Sequence, residues 1–236
     1  MQAHARLRAE ADAHGGVRLA ELTQAAPLGL RPVGDAVYLV GSAAGPLGGD
    51  RVRLDVTVGP GARLVVRSAA ASITYAGWDA GLLVEADVGE GGELDWRLEP
   101  LVATAGCRHV YEARVRLAPT ARLRWTEEVL LGRYRERPGH IDLRLTVDIG
   151  DRPLLRHQLV VGPDRPAWDG PAVTAGFRAV GLRLDAGPTG SDTGAGATGD
   201  GWARMPLDGP GVLTTVLAED LPELRRRTAA ALGAPR

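Results

Sequence analysis

The clearest pattern in the sequence is a two-residue alternation of apolar and polar side chains. Residues 52–58 read VRLDVTV, so that every second residue is apolar, and Gly59-Pro60-Gly61 follows directly. A period of two is typical of a strand with one buried face. Proline fixes φ and glycine accepts positive φ, which together favour a tight turn. The segment therefore predicts a strand, a turn and a second strand that begins near Arg63.

The same strand-turn-strand unit recurs at residues 82–96, 113–125 and 143–155. The leucine after each turn, namely Leu64, Leu94, Leu123 and Leu154, recurs at spacings of 30, 29 and 31 residues. A regular period near 30 indicates stacked units rather than a helical domain or alternating βαβ units. We predict a mainly β fold of stacked β-hairpins with a β-helix or solenoid-like body. The alternative is an ordinary sandwich whose strands are evenly spaced by chance.

The last fifty residues differ from this β-rich body, which we expect over residues 1–186. Residues 187–201, GPTGSDTGAGATGDG, predict a flexible glycine-rich loop. Residues 202–236 predict a C-terminal helical segment of one or two helices, packed on the same domain. Residues 212–232 are read as helix, with a restart at Pro222 and a stop at Gly233. Their apolar side chains serve either a helical partner or the protein's own core: Val212, Val216, Leu217, Leu221 and Leu224.

Composition excludes several classes of function. The chain has 28 basic and 29 acidic residues, so no broad field attracts nucleic acid or a membrane. It has no lysine, and therefore no phosphate-binding P-loop. One cysteine, no long apolar run and an N-terminus without a signal-peptide core lead us to expect a soluble, cytoplasmic protein.

A few residues stand out as candidates for chemistry. Asp50 follows Gly48 and Gly49, a pattern that indicates close backbone approach, although a turn aspartate that accepts local N–H groups explains it equally simply. Glu127 and Glu128 lie in a strand-like segment, so one of them must point inward. Cys107 and His109 lie two residues apart and form either a soft metal site or a buried thiol beside a surface imidazole.

Five short motifs, taken in order, resemble the UreD/UreH family of urease accessory proteins. None is specific alone, and the resemblance covers roughly residues 30–180, with a looser C-terminal match. They are Gly48-Gly49-Asp50-Arg51 leading into VRLDVTVGPGARL, SAAAS at residues 68–72, Glu99-Pro100 after Trp96, Leu131-Gly132-Arg133, and Arg152-Pro153-Leu154-Leu155.

This resemblance implies a non-enzymatic scaffold for urease maturation, with a β-helical body and C-terminal helices. It implies binding to a helical accessory protein like UreF, through it to a nickel-carrying GTPase like UreG, and docking of this assembly on apo-urease. Nickel would pass through an internal channel, so that no cofactor is tightly bound and no stable metal site is expected. A channel needs isolated oxygen ligands that hold Ni²⁺ weakly enough to release it.

By the same resemblance, Asp50, Ser72 and Glu127 are candidate channel residues that contact nickel in transit. His157 is a further candidate, at a position where many members carry Glu, and Ile73 stands where many carry Lys or Arg. His157 could equally be a strand residue that faces solvent. The residues of the structural motif are Gly48, Gly49, Gly132, Arg133, Arg152 and Pro153.

Two other classes of function remain open from the sequence. Asp50 and Glu127 could be the paired carboxylates of a carbohydrate-active β-helix enzyme, although the chain has few aromatic residues to line a sugar cleft. The chain could also be a metal-independent β-solenoid interaction module. Activity of the purified chain on sugars would favour the first, and partner binding without an effect on nickel loading would favour the second.

Overall fold

A computed structural model describes residues 1–14, 16–42, 48–188 and 196–233. They form two β-sheets and one helix. The first sheet has the order β14-β13-β11-β8-β5-β1-β2. Its strands are β1 (Gln2–Ala11), β2 (Val17–Thr23), β5 (Arg51–Val58), β8 (Ala80–Val88), β11 (Arg108–Leu117), β13 (His140–Ile149) and β14 (Arg152–Val161).

The second sheet has the order β16-β17-β18-β15-β12-β9-β6-β4-β3, and β10 and β7 extend it beside β12. Its strands are β3 (Leu28–Val33), β4 (Ala36–Gly41), β6 (Arg63–Ser68), β7 (Ser72–Thr74), β9 (Glu93–Arg97), β10 (Leu101–Ala103), β12 (Arg122–Leu131), β15 (Ala179–Ala186), β16 (Ala197–Gly199), β17 (Trp202–Pro206) and β18 (Gly211–Ala218). Helix α1 (Leu221–Ala231) lies against β18, β15 and β17.

The predicted solenoid-like architecture is confirmed. Strands β5, β8, β11 and β13 pair in parallel in the first sheet, and β6, β9 and β12 pair in parallel in the second. Leu64, Leu94 and Leu123 are direct register partners. The two strands of one unit lie in different sheets, so each turn joins the layers and each strand pairs with its counterpart in the next unit.

The fourth leucine, Leu154, does not continue this row. Ile149 pairs with Arg152, so Gly150 and Asp151 form a two-residue turn, and Gly150 has φ of +56°. Such a turn closes a hairpin. Strand β14 therefore folds back antiparallel on β13 in the first sheet instead of crossing to the second.

The main core lies between the two sheets and is filled by aliphatic side chains from the alternating positions. Leu54 and Val84 in the first sheet are fully buried, as are Leu94 and Leu184 in the second. Trp96 and Trp125 are register partners whose rings stack at 4.7 Å between centroids, with 2° between their planes. The sequence alternation therefore specifies which face of each strand enters the core.

The expectation of helix from Val212 onward is wrong for residues 212–218, which lie in β18 and pair with β15. The β-branched residues of GVLTTVLA favour a strand. The helix begins after Asp220, whose side chain accepts a hydrogen bond from the Glu223 amide at 2.8 Å, and Pro222 lies in its first turn. Gly233, with φ of +70°, follows its end.

The apolar side chains of this region pack within the chain. Leu224 is fully buried against Val216 and Ala218, and its methyl groups lie over Gly181 of β15. Of the predicted flexible loop at 187–201, residues 189–195 lie outside the described residues, whereas Ala197–Gly199 forms a hairpin with β17. Among the described residues no helix is long and apolar enough to cross a membrane.

Candidate functional site

The second sheet is interrupted beside β12. Strand β9 pairs with residues 122–126 of β12, and β10 pairs with residues 129–131. Glu127 and Glu128 lie between these two ladders. The chain crosses this level at Leu98-Glu99-Pro100, and proline has no N–H to donate to a ladder. The interruption therefore opens a gap in the second sheet.

A cavity of about 530 Å³ lies between the two sheets and reaches this gap. Both sheets contribute to its wall. Exposed residues such as Tyr75 and Glu99 also line it, so the cavity reaches the protein surface. Its wall includes Val52, Leu82, His109, Tyr111 and Leu143 from the first sheet, and Ser68, Ser72, Trp96, Thr126, Glu127 and Glu128 from the second.

Glu127 points into this cavity, as the alternation along β12 predicts. Trp125 lies two residues earlier on the same face, and its Nε1 donates a hydrogen bond to Glu127 Oε1 at 2.7 Å. Burial raises the pKa of Glu127 to about 7, and the hydrogen bond from Trp125 opposes this shift. The carboxyl group therefore changes its protonation state close to neutral pH.

Three buried polar atoms have no hydrogen-bond partner among the described residues: Trp96 Nε1, His109 Nδ1 and the Tyr111 hydroxyl. All three residues line the cavity. Burial lowers the pKa of His109 to about 4, so that its imidazole is neutral at pH 7. Burial and the nearby Glu127 raise the pKa of Tyr111, and the neighbouring Trp96 indole opposes this shift. Since buried polar atoms are nearly always hydrogen-bonded, we expect the cavity to hold polar contents that supply partners for these three atoms.

Asp50 is buried but is not among the residues that line the cavity. It precedes Val52, and its Oδ1 accepts a hydrogen bond from the Met1 amino group at 2.8 Å. The two glycines before it have distinct roles. Gly49 has φ of +87°, and a Cβ on Gly48 would lie 2.6 Å from the Trp78 amide nitrogen. The predicted close backbone approach is therefore confirmed at Gly48.

The four predicted channel residues are only partly brought together. Ser72 and Glu127 line the same cavity. His157 lies on the edge strand β14 opposite Leu145, where burial lowers its pKa, and it is not among the lining residues. A nickel contact at any of the four residues remains a prediction. Because Asp50 is outside the lining that includes Glu127, the cavity does not present these two acids as a catalytic pair.

The motif residues have structural surroundings that explain their type. Gly132 has φ of +80°, and a Cβ there would lie 2.2 Å from the Glu136 carbonyl oxygen. Arg133 donates to Glu136 through its backbone and its side chain, which lowers the pKa of Glu136 to about 2. Arg152 and Pro153 begin β14, and Pro153 lies opposite Asp148 where the register shifts.

Cys107 and His109 do not share the cavity. Cys107 is buried, its Sγ donates to the His140 carbonyl at 3.6 Å, and burial raises the pKa of its thiol. A protonated thiol is a poor metal ligand. His109 is buried rather than on the surface. Within the described parts of the chain, no group of three or more His, Cys, Asp and Glu side chains could hold a metal ion.

The sequence analysis missed the polar contribution of β11. The segment RHVYEARVRL places His109 and Tyr111 on the same face as the buried Ala113 and Val115. This alternation alone predicts an inward-facing imidazole and phenol. The spacing of His109 from Cys107 obscures that signal, because it suggests a metal site instead.

Comparison with known proteins identifies the class of protein that carries this fold and cavity. The family model described as UreD urease accessory protein matches residues 1–236. A urease accessory protein UreD of Frankia alni is 41% identical, over 98% of this chain and 92% of the relative. UreD 3 of Streptomyces griseus is 44% identical, over 95% and 93%, and UreD of Streptomyces avermitilis is 41% identical, over 96% and 94%. The chain belongs to the UreD family of urease accessory proteins.

Proposed function

We propose that this protein is a urease maturation scaffold that helps to deliver nickel to apo-urease, and that the cavity beside Glu127 is part of the nickel route. The observation that carries the proposal is a partly buried carboxyl group, that of Glu127, with a pKa of about 7. It lies in a cavity with three buried polar atoms that have no hydrogen-bond partner among the described residues. Membership of the UreD family supports the link to urease.

The chemistry of the cavity suits an ion in transit better than a stored ion. Ni²⁺ is held firmly by clusters of imidazole and thiolate, and more loosely by a single carboxylate or water. Glu127, the neutral imidazole of His109 and the hydroxyl of Ser72 offer separate, weak contacts along one cavity. Such contacts admit the ion and still release it.

The partners in this proposal are apo-urease, a helical accessory protein like UreF and a nickel-carrying GTPase like UreG. In this arrangement the GTPase supplies nucleotide hydrolysis, which agrees with the absence of lysine, and hence of a P-loop, from this chain. The scaffold supplies a β-solenoid that holds the cavity open between two sheets. The protein itself retains no cofactor.

The proposal is tested in cells that express the urease subunits and the remaining accessory proteins, with and without this chain. Nickel bound per urease and urease activity are measured after purification. We expect nickel-poor apo-urease when the chain is missing and loaded urease when it is present. Equal nickel loading in both strains would contradict the proposal and would favour an interaction module without a metal role.

A further inference from the structure

Helix α1 places a guanidinium group against two residues that line the cavity. Arg225 Nη2 lies 2.9 Å from Glu99 Oε2 and 2.9 Å from Glu128 Oε2, and Arg225 Nε lies 3.0 Å from the same Glu128 oxygen. Both glutamates line the cavity. Because Glu128 follows the inward-facing Glu127, its side chain emerges on the outer face of the second sheet, where α1 packs. Arg225 thus bridges two carboxylates on the rim of the gap.

The cavity behind this rim is equipped for polar contents. The His109 side chain is 3% exposed and Tyr111 is 7% exposed, yet His109 Nδ1 and the Tyr111 hydroxyl have no partner among the described residues. Glu127 adds a carboxyl group to the lining of the same cavity. The two rim carboxylates therefore lead to an interior that can continue to contact an ion.

The Arg225 side chain is able to leave without dismantling the helix. It is about half exposed. The helix is fixed independently by Leu224, which is fully buried against β15 and β18, and by the Asp220 side chain at its N-terminus. A long side chain on a fixed helix can exchange its carboxylate partners for water without moving the backbone. Because Glu128 is only 12% exposed, its pairing with Arg225 opposes this exchange, and an arriving cation has to displace the guanidinium group.

We propose that Arg225 competes with divalent cations for the carboxylates of Glu99 and Glu128 at the cavity opening. The two carboxylates hold the guanidinium group until an arriving cation displaces it. This inference rests on the proposed function, because it concerns the entry or exit of the same cargo ion. Two bare carboxylates would attract a divalent cation more strongly than one, and the guanidinium weakens that binding because its charge must first be displaced. Arg225 thus acts through Glu99 and Glu128, because it sets how tightly these two carboxylates bind a cation.

The test is equilibrium binding of Ni²⁺ alone to the purified full-length chain. Arg225→Gln removes the charge but keeps much of the side-chain length, and we expect it to tighten Ni²⁺ binding about tenfold, because a nearby positive charge is lost. Arg225→Lys retains the charge and should stay close to wild type. Arg226→Gln is the matched control, since Arg226 lies on the same helix and pairs with Glu223 instead. It should leave binding unchanged.

A second set of variants assigns the gain to the rim. The triple variant Arg225→Gln, Glu99→Gln, Glu128→Gln should lose the tighter binding of the single variant. Unchanged Ni²⁺ affinity in Arg225→Gln, or a gain that persists in the triple variant, would overturn the proposal. If Arg225→Gln does not fold, proton exchange at wild-type Arg225 Nε–H is followed by NMR during Ni²⁺ titration. Faster exchange is expected, and unchanged exchange would contradict the proposal.

The outcome is distinguishable from failure of the proposed function. If urease loading requires the chain but Arg225→Gln binds Ni²⁺ like wild type, only the role of Arg225 fails. If urease loads equally well without the chain, the proposed function fails whatever the binding measurements show.

Discussion

The two ends of the stacked units use the same backbone architecture for opposite purposes. At the turn end, Leu64, Leu94 and Leu123 occupy equivalent positions in successive strands and fill the space between the sheets. At the cavity end, the inward positions instead carry His109, Tyr111 and Glu127, and the second sheet is interrupted. Close packing at one end allows the other end to remain open and polar.

At the polar end, unlike the packed end, buried polar atoms depend on partners from within the cavity. A buried donor or acceptor without a partner loses about 1–3 kcal/mol of solvation. Three such atoms lie around one cavity in the described structure. Apolar side chains would fill this space with less cost, so the polar residues are consistent with a role other than stability.

The largest expected difference between the two ends concerns core truncation. Leu94→Ala, at the packed end, should lower the free energy of unfolding by about 3–4 kcal/mol, because Leu94 is 1% exposed and is not among the residues that line the cavity. Leu82→Ala, at the cavity wall, should cost about 1–2 kcal/mol, since Leu82 is only partly buried. Urea unfolding measures both variants. Equal losses would show that the two ends are packed alike.

A smaller effect is expected from Glu127, and it depends on pH. The pKa of Glu127 is about 7 in the folded protein, above its ordinary value of 4.5. Between these values the unfolded chain loses a proton that the folded chain keeps, so this group lowers stability as pH rises. Below pH 4.5, the ionisation of Glu127 should therefore make no difference between the stabilities of Glu127→Gln and wild type. Above pH 7, the free energy of unfolding of Glu127→Gln should exceed that of wild type by up to about 3 kcal/mol.

The contribution of His109 to stability changes with pH in the opposite direction, over nearly the same pH range. Its pKa of about 4 lies below the ordinary 6.5, so its contribution to stability is lost as pH falls from 6.5 to 4. The two groups largely offset each other in wild type, and only the difference between variant and wild type isolates Glu127. Chemical denaturation at a series of pH values measures it. A pH-independent difference would mean that Glu127 is ionised normally.

The sequence alternation predicted much of this comparison. It predicted the stacked units, the register of Leu64, Leu94 and Leu123, and that one of Glu127 and Glu128 points inward; the family resemblance favoured Glu127. It predicted a hairpin in every unit, whereas the two strands of each of the first three units lie in different sheets. Of the four turns only the one at Gly150-Asp151 closes a hairpin, although all four are similar in composition. The sequence also predicted a helix for residues 212–218. These residues form a strand instead, because they pair with β15 and because their β-branched side chains favour a strand.

The site was less predictable than the fold. Glu127 and Ser72 were expected to line one channel, and they do line one cavity. The bridge from Arg225 to Glu99 joins residues 126 positions apart, and no local pattern indicates it. Side chains from β9, β11 and β12 meet in the cavity only because the sheets face each other. Such contacts depend on the tertiary arrangement.

The most direct test of the account is nickel loading of urease by the Glu127→Gln variant, compared with Glu112→Gln. Glu112 belongs to β11 but is not among the residues that line the cavity, and it pairs with Arg114. With nickel limiting, we expect nickel per urease to fall several-fold with Glu127→Gln and to stay at the wild-type level with Glu112→Gln. Wild-type nickel loading of urease by a folded Glu127→Gln variant would contradict the claim that nickel passes through the cavity at the polar end.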